Sequence, residues 1–177
     1  MIKIMMLRLY RPVLRRSLSY YIINPFMEGK KKGKLIVLEG LDRSGKSSVS
    51  KFIADHLQTL KLDTSSINFP DRTTPIGQMI NNYLKSNCHH NDQTIHLLFS
   101  ANRWECMPKI QQLLSDGNYV ICDRYWYSGV AYSCAKGLDY EWCKAPDQGL
   151  IEPDLIIYLR ADPEVLQKRK DYGEERY

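Results

Sequence analysis

The chain has 177 residues, 44% of them hydrophobic, which is enough for one buried core and too few for two full domains. Its formal charge of +5 is uneven, because residues 1–34 hold nine Lys or Arg and one acidic residue, leaving 16 basic and 19 acidic residues from Leu35 onward. This mildly acidic body and the lack of a long apolar run argue against nucleic acid and membranes as partners.

Residues 1–32 form a basic extension ahead of one globular domain, residues 33–177. The extension has no acidic residue before Glu28 and carries apolar residues at helical spacing, which is typical of a transit peptide, although Pro12 interrupts the helix. The alternative is that translation begins at Met27 and the preceding residues are a gene-model error or a disordered tail. We expect a cytoplasmic or nuclear protein, or a mitochondrial one if the transit peptide is genuine.

The apolar residues 35–37 lead into a loop of the form G-x-x-x-x-G-K-S, residues 40–47. Gly40 and Gly45 allow backbone angles that let successive N–H groups turn toward phosphate oxygens. Lys46 adds a positive charge, the Ser47 hydroxyl is a ligand suited to Mg²⁺, and a helix starting here directs its positive end to the same anion. The loop predicts a triphosphate site, and a simple glycine turn is the less favoured reading.

Strand and helix patterns then alternate along the chain. Apolar residues at helical spacing predict helices over 48–61, from Pro75, over 92–114 with a kink or restart at Pro108, in two segments between 126 and 143, and from Pro163. Apolar runs predict further strands near 65–69, at 119–122 and at 155–159. This alternation is typical of an α/β fold in which helices cover both faces of a parallel sheet.

The residues just after the strands are the main candidates for ligand binding, since ligands of such sheets gather at the carboxyl ends of the strands. An arginine follows each of the four strands, which suits a site for two phosphorylated ligands. The five cysteines form no C-x-x-C pair and read as reduced thiols, with Cys122 buried. His89 and His90 lie in a polar connection, where a solvated loop is favoured over a metal site.

Six segments resemble thymidylate kinases of the eukaryotic and poxviral type: LIVLEGLDRSGKSS, FPDRTTPIG, HLLFSANRWE, DRYWYSGVAYS, WCKAPDQGLIEPDL and YGEERY. The resemblance implies a three-layer P-loop nucleoside monophosphate kinase fold with a parallel sheet, four of whose usual five strands are present. It also implies transfer of the γ-phosphoryl group of ATP to dTMP, giving dTDP for dTTP biosynthesis. ATP with Mg²⁺ and a homodimer are the implied cofactor and assembly.

The resemblance further implies which residues hold the donor. These are the loop and lid residues Gly40, Ser44, Gly45, Lys46, Ser47, Ser48, Arg169 and Arg176. Asp123 would share the metal with Ser47, and a helix cap or turn residue is the alternative. Arg43 would stabilise charge on the transferred group, Lys46 would hold the donor phosphates, and Asp42 would face the acceptor sugar.

On the acceptor side, Arg72 and Arg124 would hold the phosphate of dTMP, with structural ion pairing as the alternative. Phe99 and Arg103, one helical turn apart, would contact the thymine ring and its carbonyl, although periodicity alone favours Phe99 in the core. Tyr132, with core packing as its alternative, and Tyr177 would lie near the acceptor. For Arg169, Arg176 and Tyr177 the alternative is an exposed helix end.

The chain departs from the family pattern after the lid-like residues 169–177. Family members continue through a long helix, a fifth strand and a closing helix, so the fourth strand is expected to be a bare sheet edge and turnover to be low. Two alternatives stay open: an inactive nucleotide-binding or dimerising fragment of such a kinase, and a deoxynucleoside kinase. The second should lack the FPDR and ANRWE segments.

Overall fold

The computed structural model describes residues 32–161 and the backbone of residues 3–8. Its five strands are β1 (Lys3–Arg8), β2 (Lys34–Gly40), β3 (Thr64–Asn68), β4 (Tyr119–Asp123) and β5 (Leu155–Arg160). All neighbouring strands are parallel, and their order across the sheet is β1-β5-β2-β4-β3. Because β2 lies at the centre, its carboxyl end opens onto the middle of the sheet edge where ligands gather.

The described helices are α1 (Lys46–Thr59), α2 (Pro75–Leu84), α3 (Asp92–Ser115), α4 (Trp126–Ala135) and α5 (Tyr140–Lys144). A 3₁₀ turn, Ala145–Asp147, follows α5. The side chains of Thr74, Asn91 and Asp139 accept hydrogen bonds from first-turn N–H groups and so fix the starts of α2, α3 and α5. Within these ranges, no helix is long and apolar enough to cross a bilayer.

The core has two halves, one on each face of the sheet. On one face, Val37 and Cys122 pack with Ile110 of α3. On the other, Ile36 and Ile157 pack with Val49, Ile53 and Leu57 of α1. Successive residues of β2 face opposite sides, and both sides are covered, which accounts for the continuous apolar run at residues 35–38. This three-layer arrangement is the predicted fold.

The four predicted strands and the helices between residues 46 and 144 are confirmed, with one difference in α3. The helix runs without a restart through Pro108. Pro108 lies on the exposed side of α3, where water can hydrate the carbonyl group that loses its N–H partner. The predicted helix from Pro163 lies outside the described residues.

The expectation of a bare edge at β5 was wrong. Lys3–Arg8 pairs with β5 in parallel over six residues, from Lys3 beside Leu155 to Arg8 beside Arg160. The continuous apolar run Ile4–Leu7 is typical of a strand in a parallel sheet, and the helical spacing read across the extension obscured it. The domain boundary at residue 32 stays a prediction.

Candidate active site

The loop between β2 and α1 has the backbone that its glycines predict. Gly40 has φ +144° and Gly45, which caps α1, has φ +101°. A Cβ atom on Gly40 would lie 2.4 Å from the carbonyl oxygen of Leu159, so only glycine fits at this bend. The first turn of α1 therefore begins at the loop, and its N–H groups face the space that the loop encloses.

Lys46 is held against this loop. Its Nζ donates to the carbonyl oxygens of Gly40, at 3.1 Å, and Leu41, at 2.9 Å. Burial lowers the pKa of Lys46, and the nearby positive charge of Arg124 lowers it further. The loop thus carries a partly desolvated ammonium group whose position is set by the backbone.

Ser47 and Asp123 bring two oxygen ligands together from different elements. The Ser47 hydroxyl, in the first turn of α1, donates to Asp123 Oδ2 at 3.1 Å, at the end of β4. In residues 32–161, no cluster of three or more His, Cys, Asp or Glu side chains forms a complete protein cage for a metal. One hydroxyl and one carboxylate fit Mg²⁺, which usually takes few protein ligands and completes its shell with water and phosphate oxygens.

Arg124 connects three of the residues that the sequence singled out. Its guanidinium pairs with the carboxylate of Asp42 and lies over the ring of Tyr132, 5.5 Å from the centroid. Nη1 also donates to Ser128 Oγ at 2.9 Å. The backbone of Arg124 has φ +71°, which is costly for a residue with a side chain and persists only where neighbours enforce it.

Glu39, which sequence reasoning missed, is one of those neighbours. It is 6% exposed and accepts hydrogen bonds from Tyr125 N at 2.9 Å, Ser128 N at 3.3 Å and Ser128 Oγ at 2.5 Å. The carboxylate supplies acceptors for the start of α4, whose N-cap Tyr125 offers none. Burial raises the pKa of Glu39, and the hydrogen bond from Ser128 offsets part of that rise. The available signal was a carboxylate directly after the apolar run at residues 35–38.

The turn at Asp71 and Arg72 follows β3 and faces the same region. Asn102 of α3 holds it, because Asp71 N donates to Asn102 Oδ1 at 2.7 Å and Asn102 Nδ2 donates to the Asp71 carbonyl at 3.1 Å. The exposed Arg72 donates from Nη1 to Asn81 Oδ1 at 3.0 Å. Asn102 was not predicted. In the sequence, it is only an asparagine within a long helical pattern.

Phe99 and Arg103 lie one helical turn apart on α3 and both line the cavity. Phe99 is half-buried and packs against the cluster that includes Ile80 and Ile95. Arg103 is buried, and its guanidinium forms two hydrogen bonds with Asp147, at 2.9 and 2.7 Å. Asp147 was not predicted as a site residue. It lies in the WCKAPDQGL segment, which the sequence analysis quoted without assigning it a role.

A cavity of about 800 Å³ joins these regions. The predicted site residues that line it are Asp42, Arg43, Gly45, Lys46, Ser47, Arg72, Phe99, Arg103, Asp123, Arg124 and Tyr132. Three others do not line it: Gly40 forms the bend below the loop, Ser48 is exposed on α1, and Ser44 is buried. The Ser44 hydroxyl has no hydrogen-bond partner among the described residues. Arg169, Arg176 and Tyr177 lie outside the described residues.

Comparisons with known proteins agree with this geometry. The thymidylate kinase family model matches residues 38–177. The thymidylate kinase of Schizosaccharomyces pombe is 52% identical over 151 residues, which are 85% of this chain and 72% of that protein. The human thymidylate kinase is 43% identical over 148 residues, 83% of this chain and 70% of that protein. A solved thymidylate kinase structure from Candida albicans superimposes with a TM-score of 0.76 at 45% identity, covering 82% of this chain and 71% of that one. The chain belongs to the thymidylate kinase family.

Proposed function

We propose that the 800 Å³ cavity holds ATP and dTMP together and that the residues lining it perform the family's reaction. The chain is a nucleoside monophosphate kinase that transfers the γ-phosphoryl group of ATP to dTMP, giving dTDP. One observation carries the assignment of the site: a single cavity touches the loop after β2, Asp123 at the end of β4, Arg124 after it, and Phe99 and Arg103 on α3. Phosphoryl transfer depends on positioning and charge stabilisation, which this arrangement of cations supports.

At the donor end, Lys46 and the N–H groups of the loop at Gly45 and Ser47 bind the β- and γ-phosphates. Gly40, Ser44 and Ser48 contribute to the loop from behind. Ser47 and Asp123 are the residues that would hold Mg²⁺, and a bound Mg²⁺ neutralises phosphate charge and orients the γ-phosphate. Arg43, which has φ +61°, borders the cavity and stabilises charge on the group in transfer.

At the acceptor end, Arg72 and Arg124 reach the cavity from the ends of different strands and bind the phosphate of dTMP. Asp42 pairs with Arg124 and so holds that guanidinium while facing the sugar. Tyr132, against which Arg124 stacks, forms the wall beside the sugar. Phe99 stacks on the thymine ring, and Arg103 donates to a ring carbonyl. Arg169, Arg176 and Tyr177 would complete the site from the lid.

A coupled assay that detects ADP tests this assignment. ADP release should require dTMP and should not occur with thymidine, which lacks the accepting phosphate. Lys46→Ala should lower turnover by about 10²-fold or more, because it removes a charge at the transferring group. Lys51→Ala is the matched control, since Lys51 is an exposed lysine on the same helix. Equal ADP release with thymidine, or equal turnover of the Lys46 variant, would overturn the proposed roles.

We also propose that the chain is a homodimer. Leu97 and Trp104, two turns apart on α3, are 46% and 40% exposed, which leaves an apolar strip on that helix. Light scattering should give twice the mass of 20.7 kDa, and a monomer at micromolar concentration would contradict the proposal. The cytoplasm or nucleus is the proposed compartment, with mitochondria as the location if residues 1–32 are a transit peptide; a fluorescent fusion of the full chain distinguishes these.

A further inference from the structure

The Arg103 guanidinium lies between the cavity and a buried carboxylate. Nε donates to Asp147 Oδ1 at 2.9 Å and Nη2 donates to Oδ2 at 2.7 Å, and the two side chains are 2% and 1% exposed. Two parallel hydrogen bonds fix both the plane and the rotation of a guanidinium. Arg103 lines the cavity and Asp147 does not, so the carboxylate lies behind the arginine.

This pairing leaves Nη1 as the edge of the guanidinium available to a ligand. Nη1 makes no hydrogen bond to any of residues 32–161. Gly129 of α4 leaves room for the same group, since a Cβ atom there would lie 3.0 Å from Nη2 and 3.2 Å from Nη1. The guanidinium is therefore held by Asp147 on one side and closely bordered by backbone on another.

The carboxylate is itself fixed. Ser100, one turn before Arg103 on α3, donates from Oγ to Asp147 Oδ1 at 2.9 Å, and Oγ also lies 3.2 Å from the Pro146 carbonyl oxygen. Asp147 thus accepts three hydrogen bonds from one helix. Its position depends on α3 packing against the 3₁₀ turn, and not on contact with the ligand.

Pairing also changes which ligand atom Arg103 suits. Arginine and aspartate together are neutral, so Arg103 offers the N–H groups of Nη1 to the cavity without a net charge, which suits a carbonyl oxygen better than a phosphate. A base with an amino group at the same place would bring its own N–H donor against the N–H donors of Arg103, and no hydrogen bond could form. Sites built around such a buried hydrogen bond discriminate strongly against ligands that cannot complete it.

We propose that Asp147 is a positioning residue for base recognition: it holds Arg103 so that one N–H meets a pyrimidine carbonyl and disfavours a pyrimidine with an amino group there. The inference rests on the base-binding role proposed above for Arg103 and deepens it. Asp147 acts through the arginine and touches no substrate.

The test measures binding of dTMP, dCMP and ATP to the purified full chain by calorimetry. Asp147→Asn keeps the side-chain shape and removes the charge and one acceptor. The Kd for dTMP should rise by about tenfold or more, and the preference for dTMP over dCMP should fall. The Kd for ATP should stay within about twofold, because the loop that binds ATP shares no partner with Asp147. Asp147→Glu, which restores the charge, should recover part of the dTMP affinity.

Arg103→Ala separates this inference from the role on which it rests. If Asp147 acts through Arg103, Asp147→Asn should add no further loss of dTMP affinity in the Arg103→Ala background. A dTMP affinity unchanged by Arg103→Ala would remove the proposed base-binding role itself. A loss from Arg103→Ala with none from Asp147→Asn would overturn only the positioning role, as would equal losses for dTMP and ATP or fully additive effects.

Asp147→Asn leaves a buried positive charge without its partner and can unfold the chain. Gly129→Ala is therefore the second variant, because it keeps both charges and forces the guanidinium to move by a few tenths of an ångström. Because Gly129 also lines the cavity, the supporting result is weaker dTMP binding together with a smaller preference for dTMP over dCMP and unchanged ATP binding. Unchanged affinity for both nucleotides in a folded Gly129→Ala protein contradicts it.

Discussion

At the residue scale, Glu39 is an example of a buried carboxylate that the fold uses as a scaffold. Its three hydrogen bonds tie the end of β2 to the start of α4 and so support the unfavourable backbone of Arg124. Because the folded protein raises the pKa of Glu39, the folded state binds its proton more tightly than the unfolded state does. The contribution of this group to stability therefore falls as pH rises from its ordinary value of 4.5 through the raised pKa.

Glu39→Gln tests that sign. Glutamine keeps one oxygen for the two backbone N–H groups, and its amide can donate to the Ser128 hydroxyl, so the variant should fold. Relative to the variant, the wild-type chain should lose free energy of unfolding as pH rises above 4.5, measured from urea unfolding curves between pH 4 and 8. If the wild-type chain instead gains free energy of unfolding relative to the variant as pH rises, the hydrogen bonds to the carboxylate outweigh the cost of burying its charge. Glu39→Ala, which removes every acceptor, should cost about 1–3 kcal/mol at pH 4, where the wild-type side chain contributes most to stability.

Gly77 offers a second prediction at this scale. A Cβ atom there would lie 1.7 Å from the Asp71 carbonyl oxygen, so Gly77→Ala must push α2 away from the turn that carries Arg72. We expect a loss of about 1–3 kcal/mol in thermal or urea unfolding and weaker dTMP binding. Gln78→Ala, at the exposed neighbouring position, should have little effect on either quantity. A loss from Gly77→Ala as small as that from Gln78→Ala would mean that α2 tolerates the shift.

At the scale of elements, His96 joins three helices. From α3, its Nδ1 lies 2.7 Å from Ser133 Oγ on α4 and its Nε2 lies 2.8 Å from the carbonyl oxygen of Cys143 on α5. A carbonyl oxygen only accepts, so Nε2 carries the proton and Nδ1 accepts from the hydroxyl. Burial lowers the pKa of His96, which means that the folded state favours this neutral form.

The lowered pKa predicts acid sensitivity of the helical layer. Stability contributed by neutral His96 should be present above the ordinary value of 6.5 and be lost as pH falls below it. His96→Gln should be less stable than the wild-type chain at pH 7.5, and the gap should narrow at pH 5.5. Urea unfolding at the two pH values measures the free energy of unfolding of the wild-type chain and of the variant. A gap that is constant or widens in acid would show that His96 is not held neutral.

The elements show what the sequence could predict. The strands and helices between residues 34 and 160 followed from apolar spacing, and the loop at 40–47 and the residues after the strands followed from turn chemistry and parallel topology. Glu39, Asn102 and Asp147 could not be predicted in this way. Each is a buried polar residue with at least one hydrogen-bond partner between 31 and 89 positions away, and no local pattern specifies such contacts.

At the scale of the whole molecule, β1 changes the expected edge of the sheet. Deleting residues 1–8 removes the strand that pairs with β5 and leaves six residues of parallel strand with unpaired backbone groups. We expect a lower free energy of unfolding and concentration-dependent association, measured by urea unfolding and light scattering. Deleting only residues 1–2 is the control, because it leaves β1 intact. Unchanged stability and mass in the longer deletion would mean that β1 does not protect the edge.

The same deletion bears on the start of translation. A chain that begins at Met27 lacks β1 and should behave like the eight-residue deletion, whereas a chain that begins at Met1 should not. Mass spectrometry of the protein from its natural source identifies which chain is made. Helical spacing in the extension could not reveal the pairing, since the partner strand lies about 150 residues later in the sequence.

The register between β2 and β4 fixes the position of the loop after β2 relative to Arg124. Leu38 of β2 is the register partner of Asp123 of β4, and Arg124 N donates to the Leu38 carbonyl at 2.9 Å. If the loop binds the donor and Arg124 binds the acceptor phosphate, as proposed, this hydrogen-bonded register fixes the spacing between the two nucleotides. Phe99 and Arg103 stand on a helix instead. If these two residues select the base, as proposed, movement of that helix would change which nucleotide binds without changing the distance over which the phosphoryl group is transferred.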